Sequence, residues 1–419
     1  MKKIIQQIII IASIGYSQDG IISGFVSDSS SGEALIGANV IIQETGQGMA
    51  TDMNGYYIIQ NINPGTYTIM ISYVGFRVYR KKITLSSGES IKKDIEMVED
   101  LVELTQIDVT AEKLQRRNNI QPSKINLSPR MMKAAPALAE PDLFRTIQAL
   151  PGVLTTSEYS TGLVIRGGNT DQNLIMLDGI TVYNPSHLGG VFSNFIVDGV
   201  KEAELIKGAY NAEYGGRLSA VLNVISREGN QKEFKGKANI SLLSAQTTME
   251  GPFYKGAWIL SGRRTYFDLV LPKVLPDNIA TNIPPYFFYD VQGHIFSDIN
   301  SKDRLSLSYY TGIDDIVFDT FGLDGRWGNN TISAHWRRVF SERLVGNFLA
   351  ANSNFRTMFG LGGDGGLVND NIIDDRTISA DLSWFKTPDL TIKFGFQNKI
   401  LGFEYFSEFQ DSTVFRIKN

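Results

Sequence analysis

Apolar and polar residues alternate along much of this chain with the period of two that a half-buried strand imposes. Between 19 and 97, Tyr67, Ile69, Ile71 and Tyr73 share one strand face while Thr68, Met70 and Ser72 take the other. Ile91, Ile95 and Met97 alternate in the same way with Lys92, Asp94 and Glu96. Turn chemistry at Asp52-Met53-Asn54-Gly55 and Asn63-Pro64-Gly65 separates such runs. Several short strands at this spacing predict a small β-sandwich.

From 147 to 227 the apolar runs are shorter and end at glycine turns. Leu163-Val164-Ile165 runs into Arg166-Gly167-Gly168, and Leu174-Ile175-Met176-Leu177 breaks at Asp178-Gly179 before Ile180-Thr181-Val182-Tyr183 resumes. Asp-Gly between two apolar runs predicts a tight hairpin. Ala203 to Ile206 then ends at Lys207-Gly208, and Ala220 to Ile225 follows Tyr214-Gly215-Gly216-Arg217. Just before these runs, Leu143, Ile147 and Leu150 share one helical face, with Pro141 suited to a first turn and Pro151-Gly152 as a stop. A small mixed domain is expected. Gly167, Gly168, Gly179, Gly215 and Gly216 are read as structural, supplying positive φ or close backbone approach.

After Arg227 the strands lengthen. Candidates fall at 237–249, 257–266, 286–296, 304–310, 331–340, 344–355, 377–385 and 390–406. Leu305, Leu307 and Tyr309 alternate with Ser306 and Ser308, and Ile392, Phe394 and Phe396 with Lys393 and Gly395. The connection at 251–256 is tight, whereas 312–330 and 360–375 read as long polar loops. Short turns at one end and long loops at the other suit an outer-membrane barrel, with Trp258, Tyr286, Phe340, Trp384 and Phe385 near its interfaces. A soluble β-sandwich with one wet face gives the same alternation.

Composition removes several chemistries. The 419 residues leave room for roughly two to four domains, and 40 basic residues against 44 acidic ones give no footprint for nucleic acid. With no cysteine, disulfides, cysteine-bound zinc and thiol nucleophiles are excluded. None of His187, His294 and His335 has a Glu three residues on, so the His-x-x-Glu pair of a zinc peptidase is missing. Gly360 to Gly365 satisfies G-x-G-x-x-G without a surrounding βαβ unit, and Asp314, Asp315, Asp319 and Asp324 fit no calcium loop; both read as solvated loop. No catalytic, metal or cofactor site is implied. Met1-Lys2-Lys3, an apolar stretch to Ile14 and a small-residue cleavage site at Gly15-Tyr16-Ser17 read as an export signal, the apolar run falling short of the roughly 18 residues of a permanent anchor.

The elements "LPGV", "IRGG", "LDGI", "EAELIKG", "AEYGG" and "AVLNVISR", in that order, resemble the plug domain of TonB-dependent outer-membrane receptors. The segment 24–76 resembles the carboxypeptidase regulatory-like domain, an accessory module rather than the peptidase. Its binding role is not legible, and a spacer role is as good a reading. Within the polar connector, Ile107, Asp108, Val109, Thr110 and Ala111 look like the TonB box found ahead of the plug in this family. Such an extended segment would lend its backbone to a sheet edge of a periplasmic partner; a short first strand of the plug is the alternative. For Pro151, Gly152, Arg166, Gly167, Gly168, Asp178, Gly179, Tyr214, Gly215, Gly216 and Arg217 the resemblance implies plug-motif roles, structural or gating. Arg166 and Arg217 would pair with acids on a barrel wall, or lie at hairpin ends facing solvent.

The expected fold is mainly β. A signal at 1–17 precedes a sandwich at 18–97, a linker at 98–124, an α+β plug at 125–230 and, at 231–419, roughly eight strands of an incomplete transmembrane barrel. Receptors with a plugged lumen use roughly 22 strands, so the chain is expected to be a C-terminally truncated piece. The resemblance implies a non-enzymatic importer of a scarce, bulky ligand in the cell outer membrane, its N-terminal domain in the periplasm. It would be driven by a TonB-type energy-transducing protein, embedded in outer-membrane lipid, and served by a surface lipoprotein partner. The rival is an exported surface protein whose sandwich binds ligand without transport.

Overall fold

The structure, a computed structural model, describes residues 19–100, 123–135, 140–157, 160, 162–276, 285–318, 322–362, 366–388, 390–409 and 412–418. The export signal at 1–17 and the TonB-box-like residues 107–111 lie outside the described residues.

The first unit contains a two-sheet sandwich of β1 (Gly20–Asp28), β2 (Asn39–Ile42), β3 (Gly48–Ala50), β4 (Tyr56–Ile62), β5 (Gly65–Ser72), β6 (Tyr79–Leu85), β7 (Ser90–Lys92) and β8 (Ile95–Met97). One sheet runs β4-β1-β7, with β8 also on β1, and the other runs β3-β2-β5-β6. Ile69 and Ile71 face inward from β5 and meet Ile22, Val26, Tyr57, Ile95 and Met97, as the alternation predicts. At the turn before β4, Asp52 Oδ1 accepts the backbone N–H groups of Asn54 and Tyr56.

The second unit contains the plug and the long-stranded wall. The plug comprises β9 (Lys124–Leu127), α1 (Pro129–Ala134), α2 (Leu143–Gln148), β10 (Val153–Thr155), β11 (Leu163–Ile165), β12 (Leu174–Leu177), β13 (Ile180–Thr181), β14 (Ser186–His187), β15 (Phe192–Ser193), β16 (Val200–Ile206) and β17 (Val221–Ser226). Its main sheet runs β13-β12-β17-β16-β9. Met132, Leu143, Phe144 and Ile147 of the helices cover Leu127, Ala203, Leu205, Leu222 and Val224. The N-cap of α2 is Asp142, whose side chain accepts from Arg145 N, so Pro141 stands outside the helix rather than in its first turn. The carboxylate is the better cap because it satisfies an otherwise orphaned N–H.

The Asp178-Gly179 hairpin forms as predicted, with φ of +50° and +81°, the type I′ geometry that matches strand twist. Asp178 also turns its carboxylate back to accept from Ser226 N at 2.8 Å and Ser226 Oγ at 2.7 Å. Further on, Gly229 has φ +88°, and a Cβ there would lie 2.4 Å from the Trp258 carbonyl oxygen. The chain therefore leaves the plug in backbone contact with the wall, at a point where Arg227 pairs with Glu250 at 2.7 Å and Arg304 with Glu228 at 3.0 Å.

The wall is an antiparallel meander of β18 (Lys235–Ile240), β19 (Ser244–Phe253), β20 (Gly256–Thr265), β21 (Tyr286–Asp298), β22 (Asp303–Phe318), β23 (Leu323–Ser341), β24 (Leu344–Leu361), β25 (Leu367–Thr387), β26 (Leu390–Phe409) and β27 (Ser412–Lys418), with α3 (Phe267–Val274) between β20 and β21. It has ten described strands where the pattern predicts about eight. The run at 237–249 is broken at 241–243, where Ser241 Oγ accepts from Leu243 N and Ser244 N, and β27 is additional. Most of the expected loops at 312–330 and 360–375 is strand. Their polar residues do not seek water: Asp314, Asn329 and Asp375 are buried on the inner face.

That face decides between the two readings of the alternation. The covered side of the wall is the polar one, with Ser261, Gln292, Ser308, Ser333, Ser353 and Thr377 buried, while Leu260, Leu305, Leu307, Ile332 and Ile378 are exposed. On β22, Leu307 is 53% exposed and its neighbour Ser308 only 6%. A soluble sandwich buries its apolar face; this wall shows the reverse. Tyr286, expected at an interface, is buried and donates its hydroxyl to Asp314, because the interior offers it an acceptor. Replacing Asp178 with Ala removes the acceptor of the buried Ser226 N–H and is expected to destabilise the plug by about 1–3 kcal/mol. A denaturant midpoint reads this loss, and Asp178→Asn, which tolerates positive φ, should recover part of it.

Candidate functional site

The site is the seam between plug and wall. After the hairpin, plug residues 178–199 run along the wall and meet it at close intervals. The Asp178 carbonyl accepts from His335 Nε2 at 2.8 Å, and the Thr181 carbonyl from Ser353 Oγ at 2.8 Å. Lys399 Nζ donates to Thr181 Oγ1 at 2.9 Å and pairs with Asp375 at 2.9 Å. Tyr183 donates from its hydroxyl to Asp375 at 2.8 Å, while Asn329 accepts from Tyr183 N and donates to the Asn184 carbonyl. Gln292 donates to the Gly199 carbonyl and to Ser226 Oγ.

Between these contacts the hairpin of β14 and β15 carries the densest charge. Its loop bends through Leu188, Gly189 and Gly190, all at positive φ, which sets His187 opposite Phe192 and Ser186 opposite Ser193. His187 is 0% exposed. Its Nε2 lies 2.8 Å from Asp290 Oδ1 on β21, and its Nδ1 lies 2.6 Å from Asp314 Oδ2 on β22. Phe288 stacks on the ring, centroids 4.1 Å apart. Asp290 also accepts from Arg263 Nε and Nη2 at 2.8 and 2.6 Å and from the Tyr310 hydroxyl at 2.9 Å. Asp314 also accepts from Leu188 N at 2.9 Å. Arg263 reaches the plug at the Ser193 carbonyl, 2.7 Å, and at Glu140, 2.8 Å. Glu140 accepts in addition from Ser244 Oγ and Gln246 Nε2.

Two cations and three carboxylates thus share one buried cluster, with every carboxylate also met by neutral donors. Such groups hold together only with complete pairing, since one bare charge in the interior costs several kcal/mol. Burial opposes a charge on His187, but Asp290 and Asp314 outweigh it and hold the imidazole above the ordinary histidine range. Elsewhere in the plug, burial and then Glu204 push the Glu202 carboxyl up to about 7. Its Oε2 has no hydrogen-bond partner among the described residues.

The motif residues take other places. Arg166, at φ +48°, donates to Ser123 Oγ at 3.0 Å, and Arg217 to the Gly216 carbonyl at 3.0 Å. Their described hydrogen bonds stay inside the plug, and the guanidinium groups that bridge plug and wall are those of Arg263, Arg227 and Arg304. The Pro151 carbonyl accepts from Lys207 Nζ at 2.7 Å, and Tyr214 packs on Leu174, Met176, Ile206 and Val221. Gly152, Gly167, Gly179 and Gly216 have positive φ, and a Cβ on Gly168 would strike Ser219. Gly215 shows neither feature, so the conformational reason offered for it does not hold. Sequence reading passed over the cluster because it weighed His187 only as a zinc ligand and placed Asp314 in a loop. Asp290, a charge among the aromatic and apolar residues of 286–291, is the available signal.

A globular domain fastened by buried charges to the polar face of a long-stranded, outwardly apolar wall defines a plugged β-barrel architecture. Residues 22–109 match the CarboxypepD_reg-like domain family, and residues 128–221 match the TonB-dependent Receptor Plug Domain family. The chain is similar to the TonB-dependent transporter Oar of Myxococcus xanthus, 25% identical over 237 residues, covering 54% of this chain and 22% of that protein. It is also similar to a TonB-dependent receptor of Formosa agariphila, 30% identical over 224 residues, covering 50% of this chain and 21% of that one. The match thus spans about a fifth of the length of these relatives. Among solved structures, the copper transporter OprC shares the fold with a TM-score of 0.51 at 14% identity, over 68% of this chain and 46% of that one. The ferric citrate transporter FecA does so with 0.51 at 12%, over 72% and 50%. The chain thus carries a carboxypeptidase regulatory-like domain followed by a TonB-dependent receptor plug domain, and the relatives it matches are TonB-dependent receptors and transporters.

Two substitutions probe the seam and the plug. Arg263→Met strands Glu140 and Asp290 and should lower stability by about 3–5 kcal/mol in a denaturant titration. Glu202→Gln should act with the opposite sign. The folded carboxyl binds its proton up to about pH 7, so wild-type stability falls as pH rises through that value, and the variant should escape the fall. At pH 9 the variant is expected to be more stable by up to about 3 kcal/mol, with no advantage at pH 4.

Proposed function

We propose that this chain supplies the plug and part of the wall of an outer-membrane importer, which takes up a bulky ligand using energy delivered by a TonB-type periplasmic protein. The observation that carries the reading is the wall's polarity. Its apolar residues face out and its polar residues meet the plug, as lipid on one side and a wet, filled lumen on the other require. The relatives and the plug family support the transport class; the ligand is chosen by features that this chain does not disclose. Ligand binding would be signalled through the plug to residues 107–111, which would pair by backbone with an exposed sheet edge of the partner. The export signal at 1–17 delivers the chain across the inner membrane, the sandwich remains periplasmic, and a surface lipoprotein is a further candidate partner.

Because the chain has no cysteine, a single cysteine placed in turn at 106 to 112 gives an unambiguous cross-linking series. In a cell envelope with a TonB-type partner bearing an edge-strand cysteine, disulfide formation should rise and fall with a period of two along the segment. The receptor should fractionate with the outer membrane. Uniform absence of cross-links, or recovery of the protein as a soluble periplasmic species, would sink the proposal.

A further inference from the structure

The two wall carboxylates facing His187 impose a proton count. A neutral imidazole has one N–H and one lone pair. Here both ring nitrogens sit within hydrogen-bond distance of carboxylate oxygens, at 2.6 and 2.8 Å. A neutral ring would point its lone pair at one of them, in a site where His187, Asp290 and Asp314 are all buried. Only a doubly protonated ring gives each carboxylate a donor.

The neighbours leave little to take over this role. From the wall, Arg263 is committed to Asp290 and Glu140, Tyr310 to Asp290 and Tyr286 to Asp314. From the plug, Asp142 accepts from Ser193 N, and Arg145 Nη2 donates to the Val191 carbonyl. Asp314 takes from Leu188 the backbone N–H next to His187.

We infer that His187 is a proton-dependent fastener, closed when doubly protonated, that holds the β14–β15 edge of the plug to β21 and β22. It rests on the proposed function only for its purpose, since a plug that must shift needs a bond that can open. The sign follows from the ion pairs. The proton is bound more tightly in the folded seam than in the unfolded chain, so the fastening is complete below the ordinary histidine value near 6.5. It is lost as pH rises through the higher folded value.

Two measurements on the whole chain in detergent test this. In ¹⁵N-histidine spectra, with His187 assigned by its loss in a His187→Gln variant, both ring nitrogens should be protonated at pH 7. A bare nitrogen at that pH overturns the inference. Hydrogen exchange at 186–193, corrected for intrinsic rate, should then show protection falling by up to about tenfold per pH unit from the ordinary histidine value near 6.5 up to the folded value, and levelling above it. In His187→Gln the corrected protection should be lower and flat across pH 6 to 10. Flat protection in the wild type, or an equal slope in the variant, also overturns it. If the variant does not fold, the signal is assigned instead by replacing His294 and His335, and the wild-type measurements stand alone. A failed cross-link to a TonB-type partner would leave these outcomes unaffected.

Discussion

A charge withdrawn from water must meet its opposite, and in the second unit that requirement organises the rest. Arg263 stands on the wall, yet its guanidinium is satisfied half by the wall's Asp290 and half by the plug's Glu140 and Ser193 carbonyl. His187 stands on the plug, and both its partners stand on the wall. Neither body can neutralise its own buried charges, so the two are interdependent in a way that apolar packing would not enforce. Shape complementarity tolerates a small slip; a half-paired cluster does not.

The same rule explains the strands. Polar side chains can occupy every second position of β20 to β25 because a wet or hydrogen-bonded body lies on that side. The leucines and isoleucines of the other face can stand bare because no water need lie against them. Length follows as well. β22 through β25 run on past the point where their sequence turns polar, since Asp314, Asn329 and Asp375 find their partners in the plug.

This shows where sequence reading succeeds and where it stops. The sandwich, the Asp178-Gly179 turn and the plug sheet were legible because their signals are local: a period of two, a dipeptide with a known turn, an apolar face. The inner ends of β22 to β25 were not. In isolation a run such as GIDDIVF or NDNIIDD looks like solvated loop, and only a partner more than a hundred residues away makes it strand. His187 was invisible for the same reason, since its meaning resides in Asp290 and Asp314. The count of wall strands was missed at 241–243, where a serine-nucleated turn replaces the glycine or proline that usually marks one.

Gly229 gives the seam a mechanical asymmetry. With its backbone pressed on Trp258 and ion pairs at Arg227 and Glu228 just before it, the plug's exit strand is pinned to the wall both covalently and sterically. β9, where the described plug begins, lies at an edge of the plug sheet and pairs with β16 among the described residues. Any displacement of the plug against the wall therefore either keeps the 227–230 crossing as its fixed point or breaks the contacts there.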